Sequence, residues 1–320
     1  MAHSIGRGDA ARLVSVAAIW GASYLFIRVG APEFGVAAMA GVRAVAAALL
    51  LLPLLLWRGL LGDMLRHWRG ISFVGLTNAA LPFLLFNFAA LTLPAGLSSI
   101  LSATTPLFAA LIGALWLGER LTPSRMAGLS LGFGGVVLLV AGKLQLLPQH
   151  DMLRTALAAL ACLVATLLYG VSGNFSKRYL EQAPPLAVAA GSQLVAALLL
   201  AGPALLFWPQ QAPSAQAWGA VLALAALCTT FAYVLFFGLI ARLGASGAMS
   251  ALFMIPAFGV LWGCLFLGES FSLRMALSCL VILAGCALTT GLLALPRWTV
   301  TKCALRCELL HLGALMAKRV

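Results

Sequence analysis

Long apolar runs separated by short polar breaks fill almost the whole chain, and none shows the strict alternation of a half-buried strand. A helix needs about 20 mostly apolar residues to cross the hydrocarbon core. Ten stretches qualify: 13–29, 36–57, 71–93, 96–117, 124–142, 155–176, 186–208, 216–241, 246–267 and 272–294. A β-barrel would show short alternating strands instead. Without water, each segment must satisfy its own backbone, so the pattern predicts an all-α integral membrane protein with ten transmembrane helices. Turn residues mark several ends: Ala31-Pro32 after the first run, Leu93-Pro94-Ala95-Gly96 between the third and fourth, and Pro184-Pro185 before the seventh. A polar loop from Pro209 to Ser214 follows the seventh.

The pattern is written twice. Trp20-Gly21 is answered by Tyr169-Gly170, 149 residues later, and Leu117-Gly118-Glu119 by Leu267-Gly268-Glu269, 150 residues later. Pro106 and Pro256 each stand 13 residues before the glutamate of their copy. The predicted organisation is a cytosolic N-terminus (1–12), a first five-helix repeat (13–142), a second (155–294) and a basic cytosolic tail (295–320). An odd number of spans per repeat turns the second copy upside down. Two inverted five-helix repeats are an architecture of alternating access. The first run, preceded by Arg7 and Arg12, resembles a signal peptide. Cleavage there would delete the counterpart of the Tyr169 helix and leave nine spans.

Composition agrees. Hydrophobic residues are 63% of the chain and charged residues 9%, against roughly 45–50% and about 25% in soluble domains. A net charge of +12 would point to nucleic acid in a soluble protein; here it reads as topology, and no nucleic-acid partner is expected. With the N-terminus inside, 15 of the 20 Lys and Arg fall on the cytosolic side and only Arg28, Lys143, Arg154 and Arg274 at outer ends. That bias places both termini in the cytosol of a multi-pass protein of the cell inner membrane. Cys162, Cys228, Cys264, Cys279 and Cys286 fall inside spans as small hydrophobes. Cys303 and Cys307 lie in the tail, where no disulfide is expected. Leu305, Leu309, Leu312 and Met316 share one helical face of that tail, which reads either as an interfacial helix or as a loosely ordered basic segment.

Trp20-Gly21-Ala22-Ser23, Arg43, and Pro106 with Leu117-Gly118-Glu119 resemble the EamA-type drug/metabolite transporter superfamily. Tyr169-Gly170-Val171-Ser172, Pro256 and Leu267-Gly268-Glu269 repeat the pattern over about residues 11–294. The resemblance implies a ten-helix inner-membrane carrier, usually an exporter of amino acids or related metabolites. It also implies a cavity bounded by the first, third, fourth, sixth, eighth and ninth helices. Two departures stand out: Tyr169 replaces tryptophan, and Gln193 occupies the position equivalent to Arg43.

Trp20 and Tyr169 lie away from the interfacial belts where such residues collect, so they read as cavity lining or as helix packing. Arg43 is seven residues into its span, about 11 Å from the outer end at 1.5 Å per residue. A charge at that depth points to function, unless its stem snorkels to the headgroups; a cation there could meet a substrate carboxylate. The substrate-facing candidates are Trp20, Ser23, Arg43, Asn78, Phe83, Asn87, Ser102, Tyr169, Ser172, Thr230, Tyr233 and Ser250. The alternative for the hydroxyls is helix–helix bonding. Pro106 and Pro256 interrupt helices at paired positions and are candidate hinges. Glu119 and Glu269 read as ends of helices paired with cations such as Arg125 and Arg274. Gly128, Gly132, Gly134 and Gly135 give the fifth helix a small-residue face, for scaffold packing or a homodimer contact.

No Asp or Glu lies deep within a span, and all four His lie outside. A buried proton relay is therefore not predicted, which favours a facilitator or an exchanger driven by its substrate. No catalytic constellation, metal site or cofactor is expected. The predicted function is export of small metabolites, amino acids above all, with the lipid bilayer and a small-molecule substrate as partners. The alternatives are uptake, drug efflux or, least favoured, a polytopic membrane enzyme.

Overall fold

A computed structural model describes residues 7–144 and 149–293. Ten of its helices are long and apolar enough to cross a bilayer. They are α1 (Gly8–Phe34), α2 (Val36–Trp57), α3 (Trp68–Ala90), α4 (Ala95–Leu117), α5 (Pro123–Gly142), α6 (Asp151–Tyr179), α7 (Pro185–Leu206), α8 (Ala215–Ile240), α9 (Gly247–Leu267) and α10 (Leu273–Thr290). Each apolar stretch of the sequence falls on one of them, and no strand occurs among the described residues. The first helix does not stop at Ala31-Pro32. It continues to Phe34 and ends at Gly35, whose φ of 76° suits only glycine. Pro32 costs the ladder a single bond near its end, too little to break so long a helix. A short helix, Leu61–Arg66, links α2 to α3 and left no signal in the hydrophobic pattern. The tail, with Cys303 and Cys307, lies outside the described residues, as does the side chain of Lys143.

Glycine and alanine hold the bundle together, because lipid offers no hydrophobic gain on association and close packing must replace it. On α5 and α10, Gly132 abuts Gly285 and Gly135 abuts Ile282, so the two helices run antiparallel. A Cβ on Gly285 would lie 2.6 Å from the Gly132 Cα and 2.7 Å from the Gly128 carbonyl. The small-residue face of α5 is therefore consumed inside the chain, apart from Gly134, which meets open space. Helices α2 and α7 pack in the same way through Gly41 against Ala204. Two further contacts obey the repeat. Gly21 of α1 presses on Phe258 and Gly259 of α9, while Gly170 of α6 presses on Phe108 and Ala109 of α4.

Four helices are irregular, at equivalent places. α3 contains a π turn at Gly75–Ala80 and α8 another at Leu224–Phe231. In α3, Pro82 has no N–H to return to the Asn78 carbonyl, and the turn widens. In α8, the Thr229 hydroxyl donates to the Leu224 carbonyl five residues back, at 3.0 Å. α4 breaks between Ala95–Ser102 and Thr105–Leu117, and α9 passes through a 3-10 turn at Ser250–Phe253 before Ile255–Leu267. Pro106 and Pro256 stand in the first turn after each break, where a missing N–H costs nothing.

Candidate functional site

A cavity of about 570 Å³ lies at the centre of the bundle. Its walls are mainly aromatic and hydroxylic: Trp20, Ser23 and Tyr24 of α1; Asn78, Phe83 and Phe86 of α3; Ser102 and Thr105 of α4. Tyr169, Ser172 and Ser176 of α6, Tyr233, Phe236 and Phe237 of α8, and Met249 and Phe253 near the start of α9 complete them. Besides the six helices foreseen, α2 contributes Arg43, α7 contributes Val188, Ala189 and Ser192, and α10 contributes Leu283.

The cavity reaches the exposed residues Glu181, Pro185 and Met249, so it opens at the α6–α7 turn. The opposite end is shut by the crossing of α4 and α9. There Gly96 packs on Val260, a Cβ on Gly96 coming within 3.3 Å of it, and Gly259 packs on Ser99. The Glu269 carboxylate accepts the N–H groups of Ala95 (2.6 Å) and Gly96 (2.9 Å), satisfying two free donors at the start of α4. Arg274 donates to the Gly142 carbonyl. At the open end α4 leans on α6: Asn174 Nδ2 donates to the Ala109 carbonyl at 2.8 Å. Glu119 there accepts from Lys177 Nζ (2.7 Å) and Arg125 Nη1 (3.4 Å). The Lys177 hydrogen bond, reinforced by Arg125, holds the Glu119 carboxyl below the usual carboxylate range.

Of the candidates read from sequence, Trp20, Ser23, Arg43, Asn78, Phe83, Ser102, Tyr169, Ser172, Tyr233 and the hinge candidate Pro106 line the cavity. Four do not. Asn87 is fully buried and its Nδ2 donates to the Val36 carbonyl at 3.0 Å, tying α3 to the start of α2. Thr230 has a buried hydroxyl with no bond among the described residues. The Ser250 hydroxyl donates to the Gly247 carbonyl at 2.6 Å and serves its own turn. Pro256 shapes the second segment of α9. Tyr24 and Phe86 were passed over, although Tyr24 stands one helical turn from Trp20 and Ile27 stands on the same face. Glu181 sits in a turn and carried no signal.

Arg43 does not snorkel. Its guanidinium carbon lies 3.7 Å from the centre of the Phe83 ring, and Nε and Nη2 both donate to Thr229 Oγ1 at 3.3 Å. The residue is 9% exposed, and among the described residues no carboxylate bonds to it. Around it the Trp20 indole donates to the Cys228 carbonyl in the π turn at 3.1 Å and packs on Phe236, ring centres 4.9 Å apart. Tyr169 stacks on Phe86 at 6.1 Å, and Tyr24 meets Phe86 edge-on at 5.6 Å. A cation held on one wall of an aromatic chamber suits a molecule with an anionic group and an apolar body.

Residues 11–141 and 156–291 each match the EamA-like transporter family. An uncharacterized transporter of Bacillus subtilis, YoaV, is 25% identical over 292 residues, covering 87% of this chain and 95% of its own length. A probable terminal-alkyne amino-acid exporter of Streptantibioticus cattleyicolor is 29% identical over 267 residues, 80% of this chain and 84% of that protein. The aromatic amino acid exporter YddG of Ancylobacter novellus is 36% identical over 143 residues, 43% and 47% of the two chains. A crystal structure with 22% identity shares the fold, with a TM-score of 0.61 over 89% of this chain and 97% of that one.

Proposed function

The chain belongs to the EamA-like transporter family, a multi-pass membrane carrier of small molecules, and from that premise we propose that it exports amino acids with apolar side chains by alternating access. Arg43 carries this reading. A buried guanidinium whose partners among the described residues are a ring face and a hydroxyl can donate bidentately to a substrate carboxylate. The aromatic walls suit the apolar part. Ser23, Asn78, Ser102, Ser172 and Tyr233 supply the polar groups for orientation, Trp20, Phe83 and Tyr169 the surfaces, and Pro106 and Pro256 the hinges. Two relatives whose names specify amino-acid export favour the same class.

The antiparallel packing of α5 on α10, equivalent helices of the two copies, supports the inverted duplication. The Lys/Arg bias supports an inner-membrane protein with cytosolic termini. In that orientation the mouth beside Glu181 faces the cytosol and the structure stands ready to load from within. The absence of a buried carboxylate along the spans favours coupling through the substrate gradient over a proton relay.

The test is untargeted metabolite profiling of the medium of cells overproducing the native chain or a Trp20→Ala/Tyr169→Ala variant of equal membrane abundance. Enrichment of a few carboxylate-bearing apolar solutes with the native chain alone is the expected result. Depletion of those solutes from the medium, or no difference between the two, overturns export of this class.

A further inference from the structure

We infer that Glu269 and Glu119 are alternate latches of the two gates. Glu269 holds the N-terminus of α4 in the state seen here, and Glu119 takes the N-terminus of α9 when the opposite end closes. The inference rests on the alternating-access reading above.

The first half of the device is visible. α4 begins with free backbone N–H groups at a buried crossing, and the two oxygens of Glu269 take two of them, from Ala95 and Gly96. Such a charge-assisted pair at a helix N-terminus is both strong and directional. The same glutamate lies under Gly263, where a Cβ would come within 2.5 Å of its Oε2, so the carboxylate fits into the backbone itself. Next to it Ser99, fully buried, presses on Gly259. The closed end therefore consists of one carboxylate, one helix terminus and small residues between them.

The second half is present in sequence and backbone but disengaged. The repeat interval of 150 residues carries Glu269 back to Glu119, Gly263 to Gly113, and Ala95 and Gly96 forward to Ala245 and Ser246. Pro94 opens α4 with an extended backbone (ψ 151°), and its equivalent Gly244 interrupts the helix before α9 with ψ 169°. Each copy thus presents a helix start preceded by a non-helical residue. Each also has a glutamate just past a left-handed glycine, Gly118 at φ 69° and Gly268 at φ 64°. Gly113 already lies against Glu119, a Cβ there meeting its Oε2 at 3.4 Å. What differs is the partner. Glu119 is held by Lys177 and Arg125, whereas Glu269 is held by backbone N–H groups and the cations at its end, Arg28 and Arg274, bond to the Ala90 and Gly142 carbonyls. Lys177 sits at the end of α6 beside the mouth and competes with the α9 terminus for the same carboxylate.

The test uses the full chain in membrane vesicles, with its seven native cysteines replaced by alanine and Ser99 changed to cysteine. The probe is a membrane-impermeant maleimide applied to each face in turn. Cys at position 99 reacts from the Glu269 face only when α4 and α9 part there. Losing a charge-assisted bond in one state moves a two-state equilibrium by about tenfold. Glu269→Ala should therefore raise labelling from that face by about that factor, and Glu119→Ala should lower it. Lys177→Ala should raise it, because the competitor for Glu119 is gone. An ion pair that only braces the fold would make Glu119→Ala and Lys177→Ala act alike. That outcome, or no rise with Glu269→Ala, overturns the latch. The glutamine variants replace any alanine variant that fails to elute like the parent on size exclusion. A parent that never labels from the Glu269 face overturns alternating access itself; a parent that labels while the variants do not separate overturns the latch alone.

Discussion

Arg43→Gln separates the carboxylate reading from mere packing. Glutamine is the residue the second repeat carries at the equivalent position, 193, so its size is tolerated in this bundle. Two stability terms of opposite sign come from the structure. The stacking of the guanidinium on Phe83 at 3.7 Å is worth about 2 kcal/mol when desolvated. Holding the charge away from water costs several kcal/mol, and the variant is relieved of that cost. The melting temperature should therefore stay level or rise. Transport should fall. A hydrogen bond to a charged group contributes about 1.5–3 kcal/mol, which corresponds to roughly a 10- to 150-fold rise in half-saturation. Counterflow in proteoliposomes, with radiolabelled phenylalanine and phenylalaninamide as probes, measures it. Phenylalanine should lose affinity by that factor and the amide, without a carboxylate, should change little. Equal losses for both probes, or an unaltered half-saturation for phenylalanine, would refute the pairing of Arg43 with a substrate carboxylate.

Three other predictions follow from packing and charge. Gly285→Ala should lower thermal stability by about 1–3 kcal/mol, since its Cβ has no room against Gly132. Gly134→Ala, which meets nothing within 4 Å, should be neutral or raise stability by up to about 1 kcal/mol through helix propensity; equal effects in a thermal-shift assay would contradict the packing of α5 on α10. Thr229→Val removes the hydroxyl that accepts both Arg43 bonds and donates to Leu224, so phenylalanine counterflow should weaken by about tenfold; unchanged kinetics would show that Arg43 is placed without it. Glu119 has its folded pKa held down by Lys177 and Arg125, so its contribution is complete above the ordinary glutamate pKa of about 4.3 and is lost as pH falls through the lower folded value. The melting-temperature advantage of the native chain over Glu119→Gln should be small and level from neutral pH downward, then vanish in that acid range. An advantage unchanged at pH 3 would show that the charge is not what matters.

What the sequence disclosed and what it hid follow from the range of the interactions. Ten spans and their duplication are legible because each helix in lipid must be apolar along its full length, and the repeat preserved Pro106 with Pro256 and Glu119 with Glu269. Arg43 stood out because a charge at that depth is costly wherever it points; the sequence could not say that it would lie on Phe83 rather than reach for headgroups. The place of Asn87, off the cavity, was hidden for a related reason. An amide in lipid needs a partner, but the need is met equally by a ligand or by the Val36 carbonyl 51 residues away, and no local pattern distinguishes them. The π turns show the same limit. Pro82 flags one of them, while the other depends on a hydroxyl, that of Thr229, choosing the Leu224 carbonyl. Which end is closed was the least legible property. Tyr169 in place of tryptophan and Gln193 opposite Arg43 mark the two copies as unequal, but not that α4 and α9 meet at the Glu269 end, where Glu269 found a helix terminus while Glu119 found Lys177. Under the alternating-access proposal the break in symmetry belongs to the state, and the mobile part of the cycle lies at the crossing of α4 and α9 rather than in the pairs α2–α7 and α5–α10, whose close glycine contacts resist sliding.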